Sequence, residues 1–289
     1  MSSPDDGFLD GIVLYGVWGS SSSDVYAVGS DWTILYFDGI EWIRIETGVH
    51  VSRLYPDLEN DLERSPLDGF WSVWGSSANN IYAVGNSAFR GGVALHFNGV
   101  SWRQIVLPEE TNELHHDLYR CVWGTSAENV FILGGLGRVY HYDGNTWEKM
   151  DIGQSVELGI ISGTSNNNVF AAGPSGRLFH YFGEEWNQIF GLEGMYFKGI
   201  WGNSAKNVYA SGTSFNVGAI YHYNGTKWKR IKTVNKDHLF GIWGHGDSDV
   251  FAVGTRSLIL HYSGMSMFTF AIGALAFGLG IFGWRFIRK

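Results

Sequence analysis

A single cysteine, Cys121, stands among the 289 residues, so no internal disulfide is possible. It lies in the apolar stretch LYRCVWG, the setting of a buried inert thiol rather than of a nucleophile. Charge is scarce too: Asp, Glu, Lys and Arg make up 17% of the chain, and acids outnumber bases 28 to 20. Three bases, Arg285, Arg288 and Lys289, lie beyond the last acid, so residues 1–264 hold 17 basic against 28 acidic side chains, a balance of −11. Such a body lacks the basic face that nucleic acid requires, and it does not adhere to anionic lipid by itself. The opening MSSPDDGFLDGIVLYGV has neither the basic start nor the long apolar run of a signal peptide. No phosphate loop or nucleophile elbow is present, and no cofactor is implied.

Glycine (40 residues) and aromatics (16%) are abundant, a composition that suits short strands joined by tight turns. One phrase recurs: VWGSSSSDVYAVG from 17, VWGSSANNIYAVG from 73, VWGTSAENVFILG from 122, IWGNSAKNVYASG from 200 and IWGHGDSDVFAVG from 242. Its first tryptophans are Trp18, Trp74, Trp123, Trp201 and Trp243, with Ser162 at the matching place of a further copy. An Asp/Asn column (Asp24, Asn80, Asn129, Asn168, Asn207, Asp249) marks six units spaced by 56, 49, 39, 39 and 42 residues. Each unit holds four short runs rich in Val, Ile, Tyr and Phe, the pattern of a four-stranded antiparallel sheet. Such a sheet cannot bury both faces alone and must stack on copies of itself. Six closed into a ring give an all-β, six-bladed β-propeller.

VFILGG followed by VYHYDGNTWEKM resembles a kelch repeat, and the WGSS…DVYAVG…HYDG…W wording is similar to bacterial propeller repeats. The resemblance spans residues 12–264 and implies the propeller fold; only Gly134-Gly135 forms the kelch glycine doublet. The sixth unit departs from the others, since Met267 stands where the second Trp is expected. The expectation is an incomplete last blade, three-stranded or finished by a partner's strand, unless residues 264–270 fill the place.

The sequence divides into a propeller, 1–264, and a tail, 265–289. Within the tail, 267–284 is 18 residues without a charge, about 27 Å as a helix, which reads as a single transmembrane anchor. Trp284, Arg285, Arg288 and Lys289 would mark the membrane interface. Ala274, Ala276, Gly278 and Gly280 are small residues at a spacing that lets a neighbouring membrane helix approach. The basic end suggests a propeller outside the cell, whereas the missing signal peptide favours a tail anchor facing the cytoplasm.

A histidine column (His96, His141, His180, His222, His261) invites a metal, but its third-strand place puts each ring in a separate interblade layer, a structural role. His115 and His116 are adjacent and too few to define a site. Links between blades and the loops joining second to third strands share one face. That face carries Arg90, Arg138, Arg177 and Arg256, and the 47–70 insert adds Asp57, Glu59, Asp61 and Glu63. The acids lack the sharp-turn glycine of a calcium loop and read as solvated. HYDGNTW does not match the sialidase turn. The whole points to a noncatalytic, membrane-anchored interaction or assembly subunit. Its partners would be proteins of a membrane complex, including other transmembrane helices, and the lipid bilayer. The alternatives are a cell-surface glycan-binding protein and a propeller hydrolase or lyase.

Overall fold

The computed structural model of the protein describes residues 11–47, 68–87, 91–108, 118–231, 237–247 and 249–263, and the backbone of 267–271. It forms a six-bladed β-propeller of four-stranded antiparallel sheets, in each of which consecutive strands are neighbours. The blades are β1–β4 (14–44), β5–β8 (69–104), β9–β12 (119–150), β13–β16 (160–189), β17–β20 (195–231) and β21–β24 (239–271).

The HYDGxxW wording encodes the turn between third and fourth strands. Asp143 Oδ1 accepts the backbone N–H groups of Asn145 and Thr146, both at 2.8 Å, and Asp38 does the same for Ile40 and Glu41 at 2.8 and 2.9 Å. These bonds hold the Asp143 and Asp38 carboxyls below the usual carboxylate range. Gly144 follows at φ 99°, a conformation that costs glycine little, and the Tyr142 hydroxyl donates to its carbonyl at 2.8 Å.

The paired letters WG act at two different junctions. The six-ring end of each tryptophan reaches forward onto the glycine of the next blade. A Cβ placed on Gly75 would lie 2.7 Å from Trp18 Cη2, on Gly124 2.7 Å from Trp74, on Gly163 2.8 Å from Trp123 and on Gly244 2.7 Å from Trp201. Where Ser162 replaces the tryptophan, Thr164 takes over, with its methyl 3.0 Å from the same point on Gly202. Glycine is therefore required there by close approach, and the tryptophan by the area it covers. Behind these contacts lie the interblade cores, such as Phe131, Leu133, Ile161, Val169 and Phe179 between blades 3 and 4.

The last blade corrects the sequence reading. It is complete: β24 (Met267–Ala271) pairs antiparallel with β23 (Leu258–Tyr262), Met267 opposite Tyr262 and Ala271 opposite Leu258. An apolar run serves a strand as well as a helix, and here the open edge of β23 takes it up. The transmembrane helix drawn over 267–284 thus loses its first five residues to the sheet. No helix among the described residues is long and apolar enough to cross a membrane. The rest of that expectation, with Ala274, Ala276, Gly278, Gly280, Trp284, Arg285, Arg288 and Lys289, lies outside the described residues.

Truncating Trp74 to Ala opens a void over Gly124 and is expected to cost about 3 kcal/mol, read as a lowered urea midpoint. Gly124→Ala, which drives a methyl into Trp74 and the Asn129 carbonyl, should cost about 1–3 kcal/mol by overpacking.

Candidate functional site

The histidine column is consumed inside the blades. His96, His141, His180 and His222 place Nε2 at 2.6, 2.7, 2.6 and 2.8 Å from Oδ1 of Asn80, Asn129, Asn168 and Asn207; His261 bonds Asp249 in the same way. The amide nitrogens of Asn80, Asn129 and Asn168 donate onward to Ser76, Thr125 and Thr164. Each asparagine oxygen is therefore the acceptor, and the histidine donates from Nε2. Every ring also stacks on the second-strand aromatic of its own blade: Tyr82, Phe131, Phe170, Tyr209 and Phe251, with centroids 4.0–4.4 Å apart. Burial pushes the pKa of His96, His141, His180 and His222 down, that of His180 to about 4. Protonating His180 would also create a buried N–H at Nδ1, which has no partner. Among the described residues no group of three or more His, Cys, Asp or Glu is placed to hold a metal.

Cys121 is likewise internal, its thiol pushed up in pKa by burial and set 3.7 Å from both Ser72 Oγ and the Ile161 carbonyl. It belongs to a column of mostly small residues (Gly16, Ser72, Cys121, Gly199, Gly241) two places before the first tryptophan. There neighbouring innermost strands approach closely: a Cβ on Gly199 would meet the Ile242 nitrogen at 2.9 Å.

One position earlier the ladder breaks. In five blades the residue three before the first tryptophan falls in a register shift between first and second strands: Tyr15, Trp71, Arg120, Lys198 and Phe240. A β-bulge turns a side chain out of its sheet, and bulges recur beside functional sites. These five stand at the entry ends of the innermost strands, on the face of the interblade links. Two of the five meet each other across blades, and a third reaches a link residue. Tyr15 stacks on Trp71 with centroids 5.1 Å apart, and Arg120 reaches Glu157 at 3.4 Å.

Lys198 and Phe240 line a shallow cleft of about 400 Å³ between blades 5 and 6, with Tyr196, Thr213, Phe215 and His238. The Lys198 ammonium lies 4.5 Å over the Tyr196 ring and has no ion pair among the described residues. Phe215 and Asn216 form the tip of the β18–β19 hairpin (Asn207–Ser214, Val217–Tyr223) at φ 48° and 64°. A bulky aromatic in the left-handed region is strained, and Phe215 is almost wholly exposed there. Gly194 makes the arrangement possible, since any Cβ on it would strike the Phe215 ring at 2.5 Å.

Of the arginines singled out in the sequence, Arg138, Arg177 and Arg256 do lie in second-to-third loops on this face. Arg177 donates to Gln154 at 3.2 Å, and Arg256 sits 3.7 Å from Asp237. Arg90, the acids Asp57, Glu59, Asp61 and Glu63, and His115 and His116 lie outside the described residues. The bulged column escaped the sequence reading because its identities share no type; only its fixed offset from the WG tryptophan could have found it.

No protein-family model matches the chain, so the kelch resemblance rests on the repeat wording alone, and no curated protein matches it by sequence. Solved structures do share its fold. YCF48 bound to D1 peptide aligns with TM-score 0.65 at 14% identity, over 89% of this chain and 82% of that one. A catalytically inactive virginiamycin B lyase from Staphylococcus aureus with quinupristin gives 0.70 at 12%, over 91% and 85%. The Cps50 (Swd1) β-propeller domain from Myceliophteria thermophila gives 0.63 at 10%, over 86% and 82%. At these identities the likeness extends to the propeller fold.

The histidines predict an acid-sensitive fold. The folded pKa values of His96, His141, His180 and His222 lie below the ordinary 6.5, so the unfolded chain takes up protons there first. Stability should be fully present above pH 6.5 and fall as pH drops toward about 4, with His180 accounting for about 3 kcal/mol of the loss. Urea midpoints measured against pH should show a flatter profile for His180→Gln.

Proposed function

We propose that this propeller is a noncatalytic interaction subunit that receives an acidic, aromatic-bearing segment of a partner protein on its link face. The observation that carries the reading is the repeated bulge. Five blades turn out Tyr15, Trp71, Arg120, Lys198 and Phe240 at one level, while the histidines are spent on internal bonds. Rigid aromatics and arginine are the side chains that anchor protein interfaces, and Lys198, which makes no ion pair among the described residues, offers a charge to a carboxylate. The left-handed backbone at Phe215 sets one such anchor over Gly194 at the rim of the cleft, 78% exposed. Although the body is acidic overall, Arg138, Arg177 and Arg256 add positive charge to this face, which would steer an acidic segment to it.

In this reading the tail also contributes, as a membrane attachment that keeps the subunit beside a membrane complex, with the propeller in the cytoplasm. With β24 held in blade 6, the uncharged run that remains is 272–284, about 20 Å if helical, against a hydrocarbon thickness of about 30 Å. A full crossing would therefore require β24 to leave the sheet, and attachment in the interface is the form compatible with a complete blade. Removing residues 272–289 is expected to move the protein from the membrane pellet to the supernatant while leaving its melting temperature unchanged.

A peptide array varied in acidity and aromatic content tests the main reading with the purified full chain. Acidic peptides containing Phe, Tyr or Trp should be enriched, and Lys198→Ala or Phe215→Ala should each weaken binding about tenfold, or about 1.4 kcal/mol. Equal binding across the array, or binding indifferent to both substitutions, would overturn it. Capture of sugars on a glycan array through the same residues would replace it with the glycan-binding alternative.

A further inference from the structure

Charge is spread unevenly over the ring, and blade 5 holds the extreme. Residues 195–231 carry five basic side chains, Lys198, Lys206, Lys227, Lys229 and Arg230, and no acid, within a chain whose net charge is −8. Blade 1, by contrast, sets Asp24, Asp31, Asp38 and Glu41 against Arg44 alone. Four of the five bases gather on the rim. Lys229 and Arg230 are exposed on the outermost strand β20 (Trp228–Ile231), opposite His222 and Tyr221. Neighbouring strand residues point to opposite faces, so these two flank the strand on either side. Lys227 closes the turn into β20. The Lys206 stem packs against that turn, since a Cβ on Gly225 would lie 2.6 Å from its Cγ. None of the four has an ion-pair partner among the described residues. Asp247 of blade 6 reaches the same corner, where its carboxylate accepts the Asn203 amide at 2.9 Å.

We propose that this basic rim is the side the propeller turns to a membrane with anionic lipid headgroups. The inference rests on the membrane attachment of the tail proposed above, and adds to it an orientation and a lipid class. Three observations choose a lipid surface over other acidic partners. First, β24 (Met267–Ala271) is the outermost strand of blade 6, the blade that packs on blade 5. The uncharged run 272–284 and then Arg285, Arg288 and Lys289 follow directly from it, so the tail sets out from the blade adjoining the basic rim. Second, β24 reads MFTFA, with no acid to repel a headgroup beside that rim. Third, three of the four bases are lysines. Flexible point charges suit a diffuse layer of headgroups, whereas a defined carboxylate or phosphate site calls for the fixed fork of arginine. The energetics agree: one short apolar segment holds a protein only marginally, and a basic patch is the second signal that makes attachment stable. Lying on its rim, the propeller keeps the link face open, so membrane and partner segment do not compete.

The test is sedimentation of the full chain with vesicles of phosphatidylcholine alone and with vesicles of phosphatidylcholine and phosphatidylserine in equal parts. Each basic group at an anionic surface strengthens binding about fivefold, so the chain should prefer the mixed vesicles by about tenfold or more. The preference should fade at ~1 M salt, where the screening length is about 3 Å. A variant carrying Lys206→Gln, Lys227→Gln, Lys229→Gln and Arg230→Gln should lose most of the preference, yet keep its binding to neutral vesicles and its melting temperature. Arg103 holds the place of Lys229 on the outermost strand of blade 2 and supplies the control. Arg103→Gln should leave the preference intact, whereas Lys229→Gln alone should lower it about fivefold. Equal binding to the two kinds of vesicle, or equal effects of Arg103→Gln and Lys229→Gln, would overturn the basic rim and leave the tail attachment standing. Binding to neither kind would overturn both.

Discussion

Everything in this molecule depends on the six-ring end of a tryptophan reaching a place where the next blade has no side chain. A sheet of four short strands has two apolar faces and too little area to bury either alone, so a blade is stable only as part of a stack. The contact that stacks them needs a large flat group on one face and a bare backbone on the other, and the chain writes both as adjacent letters. Adjacent residues on a strand point to opposite faces, so Trp18 and Gly19 address different neighbours. The motif is therefore a statement about the assembly rather than about a single blade. At the fourth unit, where Ser162 replaces the tryptophan, the demand is still met: the Thr164 methyl covers Gly202.

The second layer of the design is polar. Carrying a histidine into each interblade layer is costly unless its donor is satisfied, and the Asn/Asp column supplies the acceptor in the same blade. The relay from histidine through asparagine to a Ser or Thr hydroxyl fixes the register of three strands at once and leaves little freedom for a slipped pairing. Each of the five imidazoles thus has a partner within its own blade.

How much was legible follows from whether a role was tied to a residue type. The blades, their number and their stacking were plain because the seam and the relay demand Trp, Gly, His and Asn at fixed places. The bulged column was not, because Tyr15, Trp71, Arg120, Lys198 and Phe240 share a place in the register shift but no chemistry. The strand β24 was left open for another reason: MFTFA satisfies the apolar requirement of both a membrane helix and a blade's last strand, and only the free edge of β23 decides between them. Phe215 lay equally hidden, since its display depends on a backbone conformation that no local sequence rule assigns to phenylalanine.

Among the described residues every blade is drawn from one stretch of the chain, its four strands consecutive. During synthesis, then, the strands of each sheet can pair once their own segment has emerged, but the blade gains its stability, and a tryptophan at the WG place its cover, only when the following unit arrives. With units 39–56 residues apart and elongation at about 5–20 residues per second, that wait is a few seconds per blade. The nascent chain carries one greasy face at its growing end throughout, handed on from unit to unit, and a chaperone that follows translation would meet the same tryptophan surface five times, Ser162 standing in its place in the fourth unit.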